Sequence, residues 1–353
     1  MQRLDGIQVL RGLAALAVAL FHFHTVERLY GPDALVPQFA EYGRAGVDLF
    51  FVISGFIMVR VAGRAMPGPV SAGNFLAKRM LRIYPPYWVV TLGVLAVWIG
   101  SDHRYFGSFA GEAPDIAASL ALLPQAREPI LNVGWTLVHE MYFYLVFALL
   151  LLAPVRWRGW LGLGWLAVIL GAGATGFSPS SAAGQIVLHP LTLEFILGAG
   201  IAVIRPRFAG NRAAQVAGVL AALWFAGAVM TLGPAPDEAG FADGWRRAAC
   251  FGPAAAALVF AVAGPSERPR WPRPLVALGD ASFALYLIHL PLFAVLGIVW
   301  GRFAGPGLLD NAFACLGFVS VAIIAAFTFY RFVEQPMLAV GHRSPVRRRA
   351  AAA

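Results

Sequence analysis

Charge is what this sequence has least of. Asp, Glu, Lys and Arg together make up 13% of its 353 residues, against about a quarter in a soluble domain. That shortage excludes an ordinary water-soluble globule. Cysteine is scarce as well: Cys250 and Cys315 each lie inside an apolar run. Two such thiols read as small core side chains rather than as a disulfide framework or a metal site. Also missing is a signal-peptide pattern, because the first apolar stretch is longer than a typical signal core and has no small-residue cleavage site. No internal repeat marks a transporter built from inverted halves.

What is present is hydrocarbon. Apolar residues reach 59%, mean hydropathy is +0.71, and runs of about 20 apolar residues recur, the length that crosses a bilayer as a helix. The pattern predicts an all-α polytopic membrane protein of about ten spans, near 7–25, 43–62, 84–100, 134–154, 160–176, 184–204, 213–233, 244–264, 275–300 and 310–331. The net charge of +9 is an orientation signal. With the N-terminus in the cytoplasm, most basic residues fall inside: Arg3, Arg60, Arg64, Lys78, Arg79, Arg82, Arg156, Arg158, Arg205, Arg207, Arg212, Arg268, Arg270, Arg273, Arg331, Arg343 and Arg347 to Arg349. Arg28, Arg44, Arg104, Arg127, Arg246, Arg247 and Arg302 fall outside. This bias predicts N-in and C-in with an even number of spans, and it replaces nucleic acid with the lipid bilayer as the reading of the basic excess.

The organisation is simple. Residues 1–335 read as one membrane domain, and 336–353 as a basic, disordered cytoplasmic tail whose arginines touch anionic lipid. The loop before the third span ends in FLAKRMLRIYPPYW, where Pro85 and Pro86 suit a helix start. The outer loop 101–133 carries Asp102, Glu112, Asp115 and Glu128 and a short helix around 114–122. GPAPDEAGFADG (233–244) reads as a turn-rich outer loop.

Ionisable side chains within spans are costly and face protein interiors. Arg11 and His22 are eleven residues apart, almost three helical turns, so they share a face about 16 Å apart along the axis. His24 points about 200° away from His22 and reads as interfacial. Asp48, Glu140 and Glu194, with His189 nearer the interface, join His22 in the outer half. A carboxylate there could orient the imidazole for general-base work. The inner half holds Arg11 with Lys78, Arg79 and Arg82. Arg79 and Arg82 share a helix face, and their forked donors suit phosphate oxygens. The rival reading of the same residues is a lipid or glycan exporter with a proton relay.

Six stretches then carry a resemblance: Arg11-x10-His22, GVDLFFVISGF (46–56), FLAKRMLRIYPPYW (75–88), GWTLVHEMYFY (134–144), SFALYLIHLPLF (282–293) and VEQP (333–336). In this order they resemble the integral membrane acyltransferase 3 family over nearly the whole chain, closest to its compact exopolysaccharide O-acetyltransferases of succinoglycan type. The resemblance implies a bacterial inner-membrane enzyme that moves an acetyl group from cytoplasmic acetyl-CoA to a carbohydrate hydroxyl, alone or beside polysaccharide synthesis or export machinery. It carries the family's Arg and His onto Arg11 and His22, its R-x-x-R pair onto Arg79 and Arg82, and its Glu onto Glu140. His289 and Glu334 match late positions with a structural role. His139 departs from the Tyr or aliphatic residue expected beside Glu140. No soluble hydrolase-like domain follows the last helix, so acceptor handling falls to the membrane domain or its partners.

The expected mechanism has Arg11, Arg79, Arg82 and Lys78 on the donor phosphates. His22 is the base, or else forms a transient acetyl-His, with Glu140 or Asp48 orienting it. Trp135 and Glu194 are the expected acceptor contacts, and no metal is called for.

Overall fold

The computed structural model describes residues 4–36, 38–102, 114–208, 211–232, 241–263 and 271–342. Among them every regular element is helical: α1 Asp5–Tyr30, a 3₁₀ segment Gln38–Arg44, α2 Ala45–Ala62, α3 Pro69–Gly100, α4 Ile116–Ala121, α5 Gly134–Leu152, α6 Val155–Ala174, α7 Ala182–Val187, α8 Thr192–Ile204, α9 Asn211–Leu232, α10 Phe241–Val262, α11 Arg273–Asp280, α12 Ser282–Trp300, α13 Leu308–Phe329, a π-helical turn Tyr330–Glu334 and α14 Gln335–His342. A chain that must satisfy its backbone inside lipid has helices or a closed barrel as its options. The outward faces fit that setting, since Leu149, Trp160, Met230 and Phe313 are all exposed.

Among the described residues, eight helical stretches are long and apolar enough to span a bilayer. Two expected spans, α6 and α10, form helices of 20 and 22 residues but are not among those eight. Other boundaries moved. The loop expected before the third span is helical from Pro69, so Pro85 and Pro86 lie inside α3 rather than at its start. Proline interrupts the hydrogen-bond ladder there, and the aromatics around it are used laterally. Tyr84 and Tyr87 hydroxyls donate to the carbonyls of Ala121 and Ser119 at 2.8 and 2.7 Å, and Trp88 Nε1 donates to Leu120 at 2.9 Å. These three bonds cap the orphan carbonyls ending α4. The expected short outer helix is therefore present, with Asp115 as its N-cap, and it is fastened to α3.

The expected span 184–204 is broken into α7 and α8 around Pro190, and 275–300 into α11 and α12 at Ala281. The tail begins as helix, since α14 continues to His342. Arg3, Arg104, Glu112, the loop 233–240, Arg268, Arg270, Arg343 and the Arg347 to Arg349 run lie outside the described residues. Cys250 and Cys315 are free and half-buried.

Helix α1 packs at the centre, with Ala15, Ala19 and Phe23 sealed against α12 and α13. On its other side it meets α2, which crosses α8 through two glycines. A β-carbon on Gly55 would fall 2.0 Å from the Phe195 carbonyl oxygen, and one on Gly198 would fall 1.9 Å from that of Val52. Small residues let membrane helices approach at backbone distance. Gly198→Ala is therefore expected to push α8 away and to cost about 1–3 kcal/mol. The lowered Tm of the detergent-solubilised protein checks this, and an unchanged Tm would refute it.

Candidate active site

The expected face of α1 is realised as two adjacent cavities. The smaller, of about 340 Å³, is lined by Arg11 and Gln8 of α1, Ser54 and Arg60 of α2, Arg79 and Arg82 of α3, and Glu140 and Tyr144 of α5. The larger, of about 860 Å³, is lined by His22 and by Trp135, His139, His189 and Arg247. Val47 and Tyr286 line both and form the partition. The Tyr286 hydroxyl is anchored there, 2.7 Å from Thr136 Oγ1 and 3.2 Å from the Val133 carbonyl.

The smaller cavity carries an excess of cationic groups. Four guanidinium groups line it against one carboxylate. That carboxylate, Glu140, accepts hydrogen bonds from Ser54 Oγ at 3.0 Å and from the Tyr144 hydroxyl. The Arg79 guanidinium sits over the rings of Phe75 and Tyr144, 5.6 and 5.7 Å from their centroids. Arg11 Nη1 donates to Gln8 Oε1 at 3.2 Å. The buried Glu334 carboxylate, presented by the π-helical turn, faces Arg82 and Arg11 from behind. π-helical turns often mark functional positions because they re-aim side chains.

Several expected positions are corrected by this arrangement. Glu140 lines the arginine cavity and is engaged with Ser54 and Tyr144, so it is not placed against His22. Nor is Asp48. It is fully buried, and its carboxylate receives Arg247 Nε at 3.0 and 3.2 Å and Nη2 at 2.8 Å. Arg247 Nη2 also donates to the Arg44 carbonyl at 3.1 Å. Glu194 is fully buried beside Asp48 and Arg247, against Gly252, and lines neither cavity. Lys78 is exposed and lines neither cavity.

His24 is not interfacial. It is buried, with Nδ1 3.6 Å from Glu27 and Nε2 3.3 Å from Glu41. Glu27 in turn accepts the backbone N–H groups of Leu35 and Val36, at 2.9 Å each, and the Asn311 amide. His24 thus belongs to a network that pins the loop following α1. Trp135 does line the larger cavity, with Arg247 over its ring at 5.8 Å.

Among the described residues, His289 meets His22. His22 Nδ1 lies 3.0 Å from His289 Nε2 and 3.0 Å from the Val18 carbonyl oxygen. His289 Nδ1 lies 3.0 Å from the Leu285 carbonyl oxygen. A second imidazole pair, His139 and His189, has ring centroids 4.6 Å apart and lines the same cavity. The stretch SFALYLIHLPLF gave His289 only a late position on a different helix. Its partner is invisible until α12 packs against α1.

Comparison with known proteins accords with this geometry. A family model described as an acyltransferase domain matches residues 4–331. The exopolysaccharide production protein ExoZ of Rhizobium meliloti (strain 1021) is 33% identical over 314 residues, covering 85% of this chain and 90% of that protein. The acyltransferase MdmB of Streptomyces mycarofaciens is 28% identical over 384 residues, covering 98% and 94%. No solved structure matches. With its family signature running from Leu4 to Arg331, the chain belongs to the acyltransferase 3 family.

Proposed function

We propose that this multi-pass helical protein acts in the bacterial inner membrane, taking an acetyl group from cytoplasmic acetyl-CoA and transferring it to a hydroxyl of an envelope or exported carbohydrate. The observation that carries the reading is the pair of cavities meeting at Val47 and Tyr286, arginine-lined on one side and histidine-lined on the other. With N-in orientation the arginine cavity opens toward the cytoplasm. Arg11, Arg79 and Arg82 meet the anionic part of the donor there, since guanidinium forks match phosphate oxygens. The acyl thioester reaches toward the Tyr286 partition. The larger cavity takes the sugar, with the Trp135 ring and the polar groups of His139 and Arg247 on its wall. ExoZ, by its name a protein of exopolysaccharide production, supports a carbohydrate acceptor.

His22 removes the proton from the acceptor hydroxyl as its oxygen attacks the thioester carbonyl. The new C–O bond forms, the C–S bond breaks, and the proton passes from the imidazole to the departing thiolate. The purified protein is expected to release CoA from acetyl-CoA only when a carbohydrate acceptor is added. Release without acceptor dependence, or none with any glycan fraction from the producing cell, refutes the reading.

The donor side makes its own prediction. Arg79→Ala and Arg82→Ala are each expected to weaken acetyl-CoA binding roughly 10- to 100-fold, the range for a lost charge-assisted hydrogen bond. Lys78→Ala should leave it unchanged. Calorimetric titration with acetyl-CoA checks the order, and equal affinities across the three variants would remove the clamp.

A further inference from the structure

The direction of the hydrogen bond between His22 and His289 is decided by the carbonyls around it. His289 Nδ1 lies 3.0 Å from the Leu285 carbonyl oxygen. A carbonyl only accepts, so this nitrogen carries a proton. A second proton on His289 would bury a full charge, because the side chain is completely enclosed. Among the described residues, the rings packed against it are those of His22, Tyr286 and Phe293, none of them an anion, and an uncompensated buried charge is strongly disfavoured. Neutral His289 therefore presents a bare lone pair at Nε2.

His22 Nδ1 faces two acceptors at once, that lone pair at 3.0 Å and the Val18 carbonyl at 3.0 Å. Two acceptors converging on one nitrogen require that nitrogen to be the protonated one. A neutral His22 then has no hydrogen on Nε2, and its ring lines the larger cavity.

We infer that His289 is the positioning residue of the reaction: as a neutral imidazole it locks His22 in the Nδ1-protonated tautomer and makes Nε2 the nitrogen that takes the acceptor proton. The inference rests on the acyl-transfer reading and takes the orienting role that a carboxylate fills in other base dyads. During transfer the hydroxyl proton moves to His22 Nε2, the acceptor oxygen bonds to the acyl carbon, and the C–S bond breaks. The proton then passes from Nε2 to sulfur. Throughout, the Nδ1 proton of the charged ring remains held by His289 Nε2 and the Val18 carbonyl, so the ring neither flips nor changes tautomer between turnovers.

The test has two arms. Magic-angle-spinning NMR of the ¹⁵N-histidine-labelled protein in lipid at neutral pH is expected to give His22 a pyrrole-type Nδ1 and a pyridine-type Nε2, assigned by comparison with His22→Ala. In His289→Leu the two tautomers are expected to mix. A protonated Nε2 in the unaltered protein, or an unchanged spectrum in His289→Leu, overturns the inference.

In the second arm, acceptor-dependent CoA release is followed with a glycan fraction from the producing cell. His289→Leu is expected to lose about 100-fold in kcat with the acetyl-CoA KM unchanged. His289→Gln, whose side-chain carbonyl can still accept from Nδ1, should retain clearly more. Equal losses in Leu and Gln, or a loss confined to KM, overturn it too. Full activity of His22→Ala would instead end the general-base reading while leaving the tautomer result to stand or fall by the spectra.

Discussion

Alanine at position 22 is expected to lower acyl transfer by about 10²–10⁴-fold, the contribution of a positioned general base, while acetyl-CoA binds as before. The separation of effects follows from geometry. The donor's anionic groups are assigned to Arg11, Arg79 and Arg82 in one cavity, and His22 lines the other. Eleven residues of helix, about 16 Å, separate Arg11 from His22. A kcat that collapses with an unchanged KM is therefore the expected signature. His24→Ala gives the contrast. It opens the Glu27 and Glu41 network and should lower Tm without a comparable fall in kcat in the protein that remains folded. If both variants lose activity in step with their folded fraction, His22 has no chemical role.

The second large effect concerns stability. Asp48→Asn is expected to cost about 3–5 kcal/mol, the penalty of removing one partner from a buried ion pair. The Asp48 carboxylate is completely enclosed and binds Arg247 through both oxygens. Loss of its charge leaves the guanidinium with Glu194 as the nearby carboxylate. Arg247→Met should cost at least as much, because it removes the guanidinium that binds Asp48 and leaves that carboxylate beside Glu194. The measurement is Tm of the solubilised protein together with its yield in the membrane. Wild-type values for both variants would show that the pair contributes nothing to the fold. The same experiment separates Asp48 from the chemistry, since residual kcat per folded Asp48→Asn molecule should stay near that of the unaltered protein.

The sequence by itself determined the class. Scarce charge and recurring apolar runs leave helices in lipid as the architecture, because burial of an unpaired backbone is prohibitive there. The period of a single helix placed Arg11 and His22 on one face, and the i, i+3 spacing placed Arg79 beside Arg82. Each of those inferences is local to one element, and each of these side chains lines one of the two cavities.

Only the tertiary structure decided the pairings between elements. Asp48 meets Arg247 across 199 residues, and His22 meets His289 across 267. Depth along separate helices had put Glu140, Asp48 and Glu194 near His22, but depth does not fix rotation about a helix axis. Rotation turned Glu140 into the arginine cavity and Asp48 and Glu194 toward Arg247. It also turned His24 away from the interface and into a carboxylate network. The glycine crossing of α2 and α8 and the packing of α12 on α1 set those rotations. Periodicity within one helix carries no information about the azimuth of its neighbour, so the partner of the base could be read only after the helices were packed.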